Sequence, residues 1–150
     1  MRAVIQRVRT AIVTINRNEE RSIGNGLLVF LGVTHADTLK DAEWLCGKIA
    51  RMRIFNDALG QMNLSLLETG GELLIISQFT LHASSRKGNR PSYIAAARPE
   101  TAEPLYRQSI SLFQELLPGK VKSGEFGADM LISLVNDGPV TIILDSINPE

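Results

Sequence analysis

The chain is poor in the residues that staple, anchor or decorate small proteins. One cysteine, Cys46, in 150 residues leaves no internal disulfide and no cysteine-rich zinc site. Aromatic residues are 5% of the chain, so a core has to be built mainly from Leu, Ile, Val and Ala. No apolar run approaches the roughly 18 residues that span a bilayer. Met1-Arg2-Ala3 opens directly into a strand-like pattern rather than a signal peptide. Net charge is absent too: 16 basic and 16 acidic residues cancel. That excludes nucleic-acid binding through overall positive charge, though not through a local face. Common catalytic signatures are missing. His35 and His82 have no metal-binding spacing, there is no P-loop or GxSxG, and Gly24-Asn25-Gly26 precedes a strand where a dinucleotide fingerprint needs a helix. What remains is one soluble, cytoplasmic domain over residues 1–150, large enough to fold on its own core and expected to need no metal, cofactor or membrane.

The charges that are present are segregated. No acid lies between Glu72 and Glu100, whereas Arg86, Lys87, Arg90 and Arg98 do; the first eighteen residues hold Arg2, Arg7, Arg9 and Arg17 and no acid. Such stretches fit an ordinary solvated loop and strand face first, and a basic rim for a phosphate backbone second. Hydrophobic patterning places a strand over 2–15, with a slip near Arg9 and Thr10 that reads as a bulge. A short strand at Arg21–Ile23 and a doubly buried strand at Leu27–Val33 follow. Thr38 and Asp41 form a capping-box pattern before a helix whose apolar stripe is Leu39, Ala42, Leu45, Cys46, Ile49 and Met52. Cys46 on that stripe reads as a small core residue, and Trp44, off it, as cover for a neighbouring loop. A turn at Asn56–Gly60, a polar stretch to Gly71 and a buried strand at Glu72–Phe79 come next. A second helix runs from Pro99 to Pro118-Gly119, and two strands, Met130–Val135 and Val140–Leu144, are joined by Asn136-Asp137-Gly138-Pro139. This order predicts an α+β fold with a mostly antiparallel sheet and two main helices.

Two segments stand out. In Ser77-Gln78-Phe79-Thr80-Leu81 an apolar strand runs out into hydroxyl and amide groups, which either aim donors at a bound carbonyl or satisfy loose backbone groups. In Asn136-Asp137-Gly138-Pro139 a proline follows a sufficient Asp-Gly turn, fixing φ and removing a donor. That is either a rigid steric gauge or a plain turn.

Together these segments resemble the D-aminoacyl-tRNA deacylase family, also called D-tyrosyl-tRNA deacylase. The opening strand Met1–Val8, Met62-Asn63-Leu64, Gly88-Asn89-Arg90-Pro91-Ser92-Tyr93 and Phe126-Gly127-Ala128-Asp129-Met130 resemble the family in the same order. The resemblance implies a barrel-like, homodimeric assembly with active sites at the interface. It implies hydrolysis of the ester joining a D-amino acid to the terminal adenosine of tRNA, assisted by the ribose 2′-OH. In this picture Ser77, Gln78, Phe79 and Thr80 form the catalytic segment, with backbone amides near Phe79 and Thr80 as carbonyl donors. Thr80 as a nucleophile is the other route. A cis Gly138-Pro139 from the partner, supported by Asn136 and Asp137, would reject L-substrates and leave glycyl-tRNA acceptable. Arg86, Lys87 and Arg90 are then candidates for tRNA phosphates, and DNA is not an expected partner. Tyr93 stands where the family often has Phe, and Ala83-Ser84-Ser85 lacks an acid found in many relatives. A non-catalytic RNA-binding protein, a hydrolase of free D-amino-acid esters or amides, and a purely structural dimer are the other classes the sequence admits.

Overall fold

The computed structural model describes residues 1–149. Its strands are β1 (Arg2–Ile15), β2 (Glu19–Ile23), β3 (Gly26–Gly32), β4 (Phe55–Asn56), β5 (Met62–Leu64), β6 (Glu72–Ser77), β7 (Val121–Ser123) and β8 (Met130–Asp145). The helices are α1 (Leu39–Arg51), the single turn α2 (Leu66–Thr69) and α3 (Pro99–Leu116). The main sheet is mixed but mostly antiparallel. β1 pairs antiparallel with β2, β3 and β8, while β3–β6 and β6–β7 are parallel. Arg21 on β2 donates from Nη1 to the Ser123 carbonyl of β7 at 2.7 Å, drawing the far edge back so that the sheet is nearly a closed barrel.

Each apolar run is explained by the two cores it separates. Leu27, Val29 and Leu31 of β3, with Leu73 and Ile75 of β6, face the helices and meet Leu45, Ile49 and Phe113; Leu28, Leu74 and Ile76 face the barrel interior. A strand buried on both faces cannot alternate with polar residues. β1 serves both cores in turn: Ala3 and Ile5 lie in the first, Val8, Ala11, Val13 and Ile15 in the second. The crossover needs the register shifts found between Gln6, Val8 and Thr10, where the sequence pattern slips.

α1 begins as its sequence predicts. Asp41 accepts from the Thr38 backbone N–H and hydroxyl, both at 2.8 Å, and Ala42, Leu45, Cys46, Ile49 and Ala50 are buried. Burial pushes the Cys46 thiol up to about 12, outweighing its hydrogen bond to Ser109, as suits a core residue.

Four readings need correction. Leu39 is on the stripe but 42% exposed, because it sits in the first turn beyond the reach of α3. Trp44 covers no loop and stands 39% exposed. The buried strand ends at Ser77, and Phe79–His82 turn away as a 3-10 helix. Most consequentially, Met130–Val135 and Val140–Leu144 are not two strands around a hairpin. They are halves of the single strand β8, because both pair with β1: Gln6 faces Thr141 and Val8 faces Asn136. The residues between are extruded opposite Arg7.

Candidate active site

The polar end of β6 and the extruded segment of β8 lie beside different parts of the β1–β8 pair. At the Met1 end of β1, an open groove of about 560 Å³ is lined by Arg2, Val4, Thr80, Leu81, Ile143 and Asp145 among others. Arg2 fixes its wall, donating from Nη1 to the Leu81 carbonyl at 2.8 Å and from Nε and Nη2 to Asp145 Oδ2 at 3.0 and 2.9 Å. The 3-10 turn exists because β6 runs out of partners: Gln78 N–H still bonds the Leu31 carbonyl at 2.7 Å, and Leu81 N–H closes onto Gln78 at 3.3 Å. Between them the N–H groups of Phe79 and Thr80 have no hydrogen-bond acceptor among the described residues. Two adjacent unengaged amides beside a groove are what a developing oxyanion requires.

The side chains around those amides are neutral. Gln78 Nε2 donates to Thr80 Oγ1 at 2.6 Å, so the hydroxyl already accepts from an amide, and no carboxylate or imidazole is bonded to it. His82, on the same turn, points the other way and is buried. Burial holds its imidazole below the ordinary 6.5; the charges of Arg2 and the Met1 amino group act in the same direction, against a Gly32 backbone hydrogen bond and Asp37. Ser77 is half-buried at the strand terminus.

Phe79 is 56% exposed and meets Tyr93 edge-to-face, with ring centroids 5.2 Å apart. That contact and reciprocal Ser84–Ser92 backbone hydrogen bonds of 2.8 Å fasten the exposed loop carrying Arg86, Lys87 and Arg90 beside the 3-10 turn. The Ser77–Thr80 segment and the basic loop are thus brought together.

Gly138-Pro139 is not brought to them within one chain. It lies opposite Arg7, three to five residues along β1 from Val4 and Arg2, roughly 10–16 Å at strand rise. Its peptide bond is cis and Gly138 has φ +116°, a region that favours glycine. A Cβ there would come 2.8 Å from Arg7 Nη2 and 2.9 Å from Val140 Cγ2. Asn136 and Asp137 hold the segment. With its amide nitrogen turned toward carbonyls, Asn136 donates to Arg7 O at 3.0 Å and Val140 O at 3.3 Å and accepts from Thr141. Asp137 lies 3.0 Å from Arg7 Nε and 3.1 Å from Arg9 Nε. The first is a charge contact whose N–H direction closes no hydrogen bond.

Arg7 is the residue that sequence reasoning missed. It is buried, donates to the Ile54 carbonyl at 2.6 Å, and is the point where β1, β8 and the chain after α1 meet. An arginine two residues after the apolar Ile5 and directly before Val8 was the available signal. Among the described residues no three His, Cys, Asp or Glu side chains are grouped as metal ligands would be, and no helix is long and apolar enough to cross a membrane.

The class defined so far is an α+β, barrel-like protein with paired free amides beside a polar groove. The family model described as D-Tyr-tRNA(Tyr) deacylase matches residues 4–145, and the chain belongs to that family, which makes it a hydrolase. It is 59% identical over 150 residues to a D-aminoacyl-tRNA deacylase of Cytophaga hutchinsonii and 58% identical over 150 residues to one of Akkermansia muciniphila, each match covering 100% of both chains. Among solved structures it resembles a c-Myc DNA unwinding element binding protein, with TM-score 0.91, 39% identity and coverage of 97% of this chain and 98% of that one.

Proposed function

We propose that residues 1–150 form one domain that works as a homodimer and hydrolyses the ester of D-aminoacyl-tRNA. The observation that carries this reading is the pair of unengaged amides at Phe79 and Thr80 beside the groove. Water attacks the ester carbonyl, a new C–O bond forms, and the oxyanion is held by those two N–H groups. The bond to the ribose 3′ oxygen then breaks, and that oxygen leaves with a proton as free tRNA. The water is activated by the neighbouring ribose 2′-OH, since the one carboxylate lining the groove, Asp145, is already engaged by Arg2. Gln78 positions the ester and holds Thr80, and Ser77 supports the turn. Thr80 acts as a hydroxyl partner in this scheme, because a nucleophile needs an adjacent base or a lowered pKa, and its observed partner is an amide donor.

Gly138-Pro139 serves as the chiral gauge. It has no side chain at Gly138, it is held by Arg7 and Asn136, and it projects from the edge strand β8, away from its own groove. In a two-fold pair it enters the partner's groove and fills the space an L-side chain needs. A D-side chain points elsewhere, and glycine has nothing to reject, so glycyl-tRNA is a substrate. The exposed Leu131, Val135 and Ile143 along β8 support that pairing, because long apolar edges invite a second strand. The loop with Arg86, Lys87 and Arg90 sits where acceptor-stem phosphates approach the groove. Cytoplasmic location follows from the substrate.

The test is release of amino acid from D-tyrosyl-tRNA ending in adenosine or in 2′-deoxyadenosine, with chelator present. Fast release only from the ribose form is expected. Equal release from both would remove the RNA-assisted step, and release from neither would remove the deacylase reading.

A further inference from the structure

A second groove, of about 650 Å³, runs along the outer face of α1, lined by Glu43, Trp44, Gly47, Lys48, Arg51 and Arg53 among others. It is the opposite of what a solvated helix face needs. Trp44, the chain's one tryptophan, is off the buried stripe and packs into neither core. Gly47, one turn later, costs about 1 kcal/mol in a helix interior relative to alanine. The groove explains both. A Cβ on Gly47 would come 3.0 Å from Arg51 Nη1, and Arg51 Nη1 donates to the Gly47 carbonyl at 3.2 Å. Gly47 therefore leaves room for the Arg51 guanidinium beside its own carbonyl, and Trp44 and Arg51 line the same slot. Lys48 and Arg53 complete the lining with Glu43 as its single carboxylate, and Arg53 keeps its charge while donating to the neutral Asn63 carbonyl and side-chain amide.

An aromatic ring and a guanidinium lining one slot, with two further cations in the same lining, match an unpaired nucleotide: the base stacks and its phosphates meet the charges. We infer that this groove binds a nucleotide of the single-stranded 3′ tail of the tRNA; the inference rests on the tRNA reading above. Its place in the fold agrees. Ile54, the residue after Arg53, gives its carbonyl to Arg7, which holds Asp137, so the Arg53 end of the groove lies toward Gly138-Pro139.

Because Trp44 is the only tryptophan, its fluorescence reports the slot directly. Titration with uncharged tRNA should quench it, and tRNA trimmed of its 3′ tail or inorganic polyphosphate should not. Arg51→Ala should lose the quench, and Trp44→Ala should raise KM for D-tyrosyl-tRNA roughly 5- to 100-fold with kcat held, the worth of one stacked base. Circular dichroism checks that both variants fold, and Trp44→Phe should recover most of the KM. No quench by intact tRNA, or equal quench by polyphosphate, overturns the inference even where the wild-type protein hydrolyses D-tyrosyl-tRNA. Quench without any hydrolysis keeps the groove and removes the deacylase reading instead.

Discussion

Arg7 shows how much one side chain organises here. Its guanidinium is almost fully buried, yet Asp137 retains solvent access, with side-chain exposures of 7% and 31%. Removing one partner of a fully buried pair costs about 3–5 kcal/mol, and the exposed carboxylate lowers that. Arg7→Met should therefore lose about 2–3 kcal/mol in urea unfolding, and the extruded segment should become protease-sensitive. A loss below about 0.5 kcal/mol, the level of an ordinary surface change, would mean that Arg7 does not hold it. His82 sets a pH dependence. Its folded pKa lies below its unfolded value of 6.5, for the burial and charge reasons given above. Below that value the unfolded chain binds the extra proton first, so stability is full above about pH 6.5 and falls as pH drops toward the depressed pKa. The urea midpoint should decline between pH 7 and 5, and His82→Asn should lack that component; identical slopes in the two proteins would contradict it.

At the scale of elements, local chemistry was legible wherever it acted alone. The Thr38–Asp41 box, the α1 stripe, the doubly buried β3 and the β1 slip are set by neighbours in the sequence. The Ser65–Glu68 box that opens α2 was present in the same form, but it starts a helix of one turn inside a polar stretch and went unread, as did the short β4–β5 pair. β8 failed for a different reason. Asp-Gly is a local turn signal, and only the long partner β1, pairing on both sides of it, converts the turn into an extrusion. Close approach of strands is likewise invisible locally. A Cβ on Gly26 would fall 1.8 Å from the Glu72 carbonyl oxygen, so Gly26→Ala must push β3 from β6. A loss of about 3 kcal/mol lowers the melting temperature by roughly 6–12 °C, and an unchanged melting temperature would show that the pair can yield. For the basic loop, substituting Arg86, Lys87 and Arg90 together with Ala should raise KM for aminoacyl-tRNA and reduce the log–log salt slope by about 2–3, near one per lost phosphate contact. An unchanged slope would place the phosphates elsewhere.

For the whole molecule, the two motifs singled out from the sequence lie apart along the β1–β8 pair, one beside it at the end of β6 and one within β8, and nothing in a single chain brings them together. That separation could not be read from the residues, since it depends on how β8 folds back along β1. It is also why the proposed site needs a second copy. Val135→Arg, on the exposed face of β8 and outside both grooves, should yield a folded monomer in sedimentation with deacylase activity reduced about a hundredfold, as when reacting groups lose their positioning. A fully active monomer would put the whole site within one chain. The most direct measurement is the hydrolysis of matched D-tyrosyl-tRNA and L-tyrosyl-tRNA by the purified protein. Rapid loss of the D-ester with the L-ester intact is the predicted result; equal loss of both would contradict the role of Gly138-Pro139, and loss of neither would contradict the proposed activity itself.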